Sequence, residues 1–271
     1  MSQQLTAAQR VAIARHPQRP NINDYITALF PHFFQMRGDR LCGEDEAILG
    51  GVAMFHGQPV TVIGTRKGKT LEENLRTNFG MPNPEGYRKA LRLMKQAEKF
   101  GRPIITFVDT SGAYPGMQAE EHGQGEAIAR NLYEMSRLTV PVISVITGEG
   151  NSGGALALAV ANRVLMLENA VYAILSPEGF STILWKDASR FEEACGLMKM
   201  TAPELKQLGV IDEVIPEPTG GAHLAPEIAI REVERSIAVH LAQLNKQKGT
   251  ALAADRYQKF RKMGAVEKEE V

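Results

Sequence analysis

Two stretches of this chain repeat one plan, and that repetition restricts its folds more than any other feature. "PIITFVDTSGAYPG" and "PVISVITGEGNSGG" each open on proline, continue as about five apolar, mostly β-branched residues, and end in glycines. Their prolines, Pro103 and Pro141, stand 38 positions apart. A helical pattern follows each. The first runs from about Gln118 to Leu138, with Ile128, Leu132 and Met135 on one face; the second reaches Val160. Strands this uniformly apolar are buried on both sides, as in parallel sheets covered by helices. Further strands at Arg163–Leu167 and Val171–Leu175 continue the series, so the chain reads as α/β.

The flanks fit around this centre. Residues 1–20 predict a short helix ended by Pro17 and Pro20, and Asn23-Asp24 predict the cap of a second helix through Tyr25, Leu29 and Phe33. "AILGGVAMFHGQPVTVIGT" predicts a hairpin: strand Ala47–Phe55, turn His56-Gly57, strand Pro59–Thr65. Pro84 opens a helix through Leu91, Met94 and Ala97 that Gly101 ends. Ser176 and Pro177 start another. Beyond lie a helix near Ala202–Leu208, a strand in "VIDEVIP" and an amphipathic helix over Pro226–Leu244. A basic helix, Leu252–Met263, then precedes a charged tail. Neither a linker nor a low-complexity tract divides the chain, so it reads as a single domain over 1–271 with helical extensions at 1–35 and 225–271.

Composition removes several function classes. The 31 basic and 31 acidic residues cancel, so no global field draws nucleic acid or an anionic membrane. The longest apolar run, Ala155–Ala161, is far short of the ~20 residues a membrane span needs. "MSQQLTAAQRVAIARHPQRP" lacks the apolar segment of a signal peptide, and only two cysteines, Cys42 and Cys195, are present. A cytoplasmic protein without disulfides and without a metal site of its own is expected. Glu120, Glu121 and His122 lack an identifiable further ligand.

The second glycine stretch contains Gly148-x-Gly150-x-x-Gly153, with Glu168 twenty positions after Gly148, which is the spacing of a dinucleotide-binding loop. The same residues also suit a tight turn that packs helix on sheet, or a turn that aims backbone N–H groups at an anion. Against the nucleotide reading, the loop lies in mid-chain after a like unit, whereas a dinucleotide unit usually opens its domain. Asp109, at a strand end, reads as a loop cap before a catalytic acid. Arg66, Lys67 and Lys69 read as a solvated turn before a phosphate contact, and Arg88, Lys89 and Arg92 as the wet face of a helix.

Taken in order, "RPxxxDY", "NFGMPNPEGYRKALRLM", "ITFVDTSGAYPG", "EAIARNL", "GEGNSGGALALAVANRV", "SPEGFSTILWK" and "IDEVIPEPTGGAH" resemble the alpha subunits of bacterial acetyl-CoA carboxylase carboxyltransferases. The likeness runs from about Ile13 to Tyr257. It implies the crotonase-like fold, a spiral of ββα turns. It also implies a reaction: a carboxyl group passes from carboxybiotin, on a carrier protein, to acetyl-CoA, giving malonyl-CoA for fatty-acid synthesis. By this resemblance Gly153 and Gly154 supply backbone donors for the biotin ureido oxygen, with no side-chain acid or base required. Gly150, Asn151 and Ser152 shape that turn. Gly112, Ala113, Tyr114, Pro115 and Gly116 form a second loop on the same cleft. The implied partners are a carboxyltransferase beta subunit that holds the acetyl-CoA half in an α2β2 heterotetramer, the biotin carboxyl carrier protein, and an ATP-consuming biotin carboxylase. Three features depart from the family pattern: Ser111 where proline is more usual, Asn151 where glycine is, and a short N-terminal helical segment.

Other classes stay open on the residues alone. A nicotinamide-dependent oxidoreductase would use the Gly148 loop and Glu168. A stand-alone acyl-CoA hydratase or hydrolase would need a placed carboxylate such as Glu120 or Glu121. A non-enzymatic binding module would need neither.

Overall fold

The computed structural model of the protein describes residues 5–264; the charged tail falls outside them. Helices α1 (Ala7–Ala14) and α2 (Ile22–Leu29) lead in. The cap of α2 is Asn21, whose side chain accepts from Asn23 N–H, while Asp24 completes the box from inside; Phe33 lies beyond the helix. A two-residue strand β1 (Phe34–Gln35) then pairs with the hairpin β2 (Ile48–Phe55) and β3 (Gln58–Thr65). The hairpin follows expectation because His56 and Gly57 both adopt positive φ, which lets two residues reverse the chain. Helix α3 (Leu71–Arg76), capped by Thr70 through Glu73 N–H, is not among the sequence expectations.

Helix α4 (Pro84–Lys99) carries proline at its first turn, and its buried face is Tyr87, Ala90, Leu93, Met94 and Ala97. The buried strand β4 (Ile104–Thr110) follows. The single helix expected next is two, α5 (Met117–Glu121) and α6 (Gln124–Arg137), because Gly123 sits at φ +84° between them. Ala127, Asn131 and Met135 face inward on α6, with Ile128 and Leu132 half-buried beside them.

The larger correction concerns the second unit. Strand β5 runs from Val142 to Asn151, all ten residues buried, so Gly148 and Gly150 belong to a strand and not to a loop. Its helix, α7 (Ser152–Leu156), has five residues and does not reach Val160. Then come β6 (Arg163–Leu167), β7 (Val171–Ala173), α8 (Pro177–Trp185) and α9 (Phe191–Leu197). Helix α10 (Ala202–Gln207), β8 (Glu213–Ile215), α11 (Pro226–Leu244) and α12 (Thr250–Lys262) complete the chain. Ser176 caps α8 through Gly179 N–H, as its sequence predicts.

The sheet order is β1-β2-β3-β4-β5-β6-β8, antiparallel at the hairpin and parallel from β3 onward. Strand β5 pairs with β6 from Ile143 to Ile146, then with β7 from Glu149 to Asn151. That change of neighbour explains the uninterrupted burial of β5: a second partner satisfies the backbone groups a loop would have left to water. Val62, Ile63, Leu93, Ile105, Val145 and Leu165 are among the core residues with no exposed surface.

Candidate functional site

Two turns meet where β4 and β5 end. After Asn151, in extended conformation, Ser152 takes φ +61°, and α7 begins at once. A serine with left-handed backbone is strained by roughly 1–2 kcal/mol, so its neighbours must hold it there. The reversal exposes Ser152, leaves Gly153 half-buried and buries Gly154. Asn151 makes no side-chain cap bond, so the first-turn amides of α7 receive no acceptor from it. With only five residues, α7 adds little macrodipole; the amides themselves are the polar feature of the turn.

Gly154 lies against the turn that follows β4. A Cβ on Gly154 would stand 2.5 Å from Ala113 N, 2.7 Å from Gly112 C and 2.7 Å from the Tyr87 hydroxyl. Only glycine permits that approach, so the two glycine stretches read from sequence do come together. Within the first turn, Gly112 N–H donates to Thr110 Oγ1 and Tyr114 N–H to the Pro82 carbonyl. Among the described residues, the Ala113 amide donates to no protein group. Pro115 is exposed, and Gly116 is backed by the Tyr114 ring. Gly150 and Asn151 face Tyr172 and Ala173 across the β5–β7 ladder, so they brace the turn from behind.

A groove of about 620 Å³ opens beside this turn, lined by Ser152, Gly153, Leu156, Tyr172, Ile174, Phe180 and Met198, among others. Its walls are almost wholly apolar, which is what an apolar ligand with one polar end requires. Tyr172 on β7, Phe180 on α8 and Met198 just beyond α9 reach the groove through chain topology.

The charged residues near the strand ends behave otherwise than expected. Lys67, read as part of a solvated turn, places Nζ 3.1 Å from Asp109 Oδ1 and 3.0 Å from Glu149 Oε2. Glu149 also receives Arg15 Nε at 2.8 Å, and Arg15 bridges on to Glu178 at 2.5 Å. Burial opposes charge on all of these groups. The facing carboxylates nevertheless raise the pKa of Lys67, and Lys67 with Arg15 depress that of Glu149. Asp109 is thus engaged by an ammonium and by Glu149 N–H, in keeping with the loop-cap reading. These residues line a polar cleft of about 240 Å³ with Arg19 and Lys69. Its charges are already matched to one another, whereas the apolar groove adjoins amides without such partners.

Two further expectations change. Lys89, assigned to a wet face, is buried, donating to Glu44 and to the Asp45 carbonyl, and Arg88 bonds Asp39 and Glu85. His122 Nδ1 lies 2.8 Å from Glu85, while Glu120 and Glu121 are exposed and point to no common centre with it. Asp39, Cys42 and Glu85 do cluster, but the Arg88 guanidinium already supplies their positive charge. Glu168, half-exposed, accepts from Glu217 N–H and lies 3.9 Å from Arg10, a structural place that no dinucleotide ribose needs. With Gly148 inside β5 and Gly150 paired to Tyr172 of β7, the loop such a cofactor would occupy does not exist.

Comparison with known proteins agrees with this geometry. A family model described as acetyl co-enzyme A carboxylase carboxyltransferase-like matches residues 1–264. The acetyl-coenzyme A carboxylase carboxyl transferase subunit alpha of Geobacillus thermodenitrificans is 61% identical over 262 residues, covering 97% of this chain and 81% of that protein. Among solved structures, transcarboxylase 12S aligns over 90% of this chain and 45% of its own, with TM-score 0.71 and 20% identity. The beta subunit of Pseudomonas aeruginosa geranyl-CoA carboxylase aligns over 93% of this chain and 46% of its own, with TM-score 0.66 and 14% identity. Fold and sequence therefore agree: the chain belongs to the alpha-subunit family of acetyl-CoA carboxylase carboxyltransferases, transferases of crotonase-like fold.

Proposed function

We propose that the Gly153 and Gly154 amides form the oxyanion-binding element of a carboxyl transfer from carboxybiotin to acetyl-CoA. The observation that supports this reading is the strained Ser152 turn, which starts α7 beside an apolar groove lined by Ser152 and Gly153. Biotin fits that donor set: an apolar bicycle and chain for the groove, and a ureido oxygen for the amides. Bound there in carboxylated form, it would supply the carboxyl group and a nitrogen able to take a proton from the acetyl methyl.

The chain's own contribution is placement. Gly153 and Gly154 hold donors where negative charge develops, and no side chain needs to titrate. Such donors are fixed before the charge appears, so reaction requires little reorganisation; losing one typically costs about 3–4 kcal/mol of barrier. Ala113, with Gly112, Tyr114, Pro115 and Gly116 around it, is the second source of polar contact. Tyr172 and Phe180 exclude water from the groove side.

A beta subunit completes the enzyme, as the alpha-subunit family implies. The finer assembly belongs to the same proposal: an α2β2 heterotetramer in the cytoplasm, a second oxyanion site on the beta subunit for acetyl-CoA, a biotin carboxyl carrier protein, and a biotin carboxylase that recharges it with ATP. The described residues contain no helix long and apolar enough to cross a membrane.

Reconstitution tests the proposal. Mixed with a competent beta subunit, the chain should support malonyl-CoA-dependent carboxylation of free biotin. Gly153→Pro, which deletes one donor, should lower turnover by at least a hundredfold. Undiminished turnover in that variant would place the donor elsewhere.

A further inference from the structure

We propose that Lys67 is a positioning residue for the transfer reaction: it clamps the end of β4 to the end of β5 and so fixes the spacing of the two turns. The proposal rests on the reading of Gly153 and Gly154 as donors.

Strands β4 and β5 pair regularly as far as Val108 opposite Ile146; the next pair is Thr110 opposite Gly150. Between these pairs β5 holds Thr147, Gly148 and Glu149 while β4 holds Asp109 alone. The regular ladder is broken just where both strands are about to enter the turns. Side chains replace it. Asp109 Oδ1 accepts from Glu149 N–H at 3.0 Å, Thr147 Oγ1 donates to the Val108 carbonyl at 3.3 Å, and Lys67 Nζ reaches both carboxylates. Gly148 is required here, since a Cβ would stand 2.4 Å from Asp109 Oδ1.

The charge logic makes Lys67 the keystone of this set. Asp109 and Glu149 face one ammonium from two strands. Glu149 has a second cation in Arg15, whereas Lys67 provides the direct ionic contact of Asp109. Without Lys67, two carboxylates oppose each other across the bulge and the strands are driven apart. Three and four residues beyond Asp109, and five beyond Glu149, the turns touch: Gly154 packs against Gly112 C and Ala113 N too closely for a methyl group. A change in strand spacing therefore passes directly into the relative placement of the amides, and misplacement of about 1 Å can reduce catalysis about a hundredfold. Lys67 lies in the polar cleft and Gly153 in the apolar groove, so Lys67 acts through the strands and not by contact with substrate.

The test uses the complex with the beta subunit and compares Lys67→Met and Lys67→Arg with the parent in malonyl-CoA-dependent carboxylation of free biotin. Lys67→Met should lose kcat by about tenfold or more, with KM for malonyl-CoA and for biotin within about twofold. Lys67→Arg, which keeps the cation, should recover most of that loss. If Lys67→Met does not fold, Lys67→Gln, which retains one donor, should show the same split. Unchanged kcat, a change confined to KM, or no recovery in Lys67→Arg overturns the role of Lys67. Gly153→Pro, assayed in parallel, separates the two levels. Full turnover there overturns the amide reading itself; loss there beside full turnover in Lys67→Met overturns only the positioning role.

Discussion

At Gly154 a single hydrogen atom decides whether two turns can touch. Three atoms, from Gly112, Ala113 and Tyr87, lie within 2.7 Å of where a Cβ would be, and two of them are backbone, which cannot swing aside. Gly154→Ala should therefore destabilise the protein by about 1–3 kcal/mol, read as a shift in denaturant midpoint. It should also lower kcat in the reconstituted enzyme, because the turn must move away from Ala113. Stability equal to the parent would mean the turns separate freely. Gly153 differs from its neighbour: its Cβ would meet only Ile128 at 3.4 Å, an ordinary contact. The two glycines were equivalent as letters, and only their surroundings distinguish a glycine that packing requires from one that has room for a side chain. Lys89 makes the same point from the other side. Its helical position suggested solvent, yet Glu44 and Asp45, some forty-five positions earlier, enclose it.

Among the elements, β5 and α12 show how a partner from far along the chain redefines a segment. The glycines of β5 predict a loop when read locally, and a strand once β7 lies alongside. Helix α12 reads from sequence only as basic, yet its Arg256 is fully buried. Its guanidinium donates to the Met135 and Leu138 carbonyls at 2.8 and 2.9 Å, to the Val140 carbonyl at 3.3 Å and to Asn162 Oδ1 at 2.6 Å. It thereby serves the C-terminal end of α6, whose last carbonyls have no partners within the helix. Burial lowers the Arg256 pKa to about 10, with Asp255 and Glu98 opposing, so it stays charged at neutral pH. Arg256→Met should cost roughly 2–4 kcal/mol, since it strands several buried acceptors at once. Chemical denaturation would measure the loss, and α12 should exchange its amide protons first. A neutral substitution would show that α12 is held by apolar packing alone.

Across the whole molecule, buried carboxylates set the pH range of stability. Glu217 pairs with Arg19 at 2.5 Å, both side chains almost inaccessible; burial alone would raise its pKa, but Arg19 wins and depresses it. Glu149 is shifted the same way by Lys67 and Arg15. A depressed folded pKa gives stability that is present above the unfolded value near 4.5 and lost as pH falls below it. Asp45 is the opposite case. Burial raises its pKa to about 6 despite bonds from the Ala47 and Asn83 amides. Its contribution is present below its unfolded value near 3.8 and is lost as pH rises through about 6. Stability should therefore be greatest at roughly pH 4.5 on these groups and decline toward about pH 6 as the Asp45 contribution is lost. Glu217→Gln should flatten the acid limb and, by leaving Arg19 buried without its anion, cost about 3–5 kcal/mol at pH 7. Thermal unfolding from pH 3 to 8 checks both; an unchanged acid limb in the variant would remove Glu217 from the account.

Apolar periodicity, prolines and capping residues were enough to mark the hairpin, the two repeated strands, α4, α8 and α11, because those features act over a few neighbouring residues. The long run of family motifs pointed to the family for the same reason: each motif is a contiguous stretch. What the letters could not contain was any property created by residues distant in the chain. The ladder with β7 that makes Glu149–Asn151 strand and not loop, the partners that enclose Lys67, Lys89 and Arg256, and the groove wall from β7, α8 and Met198 all required the chain to close on itself. Local conformational preference is written residue by residue, whereas burial and charge pairing are properties of the assembled neighbourhood, and only the tertiary structure supplies that.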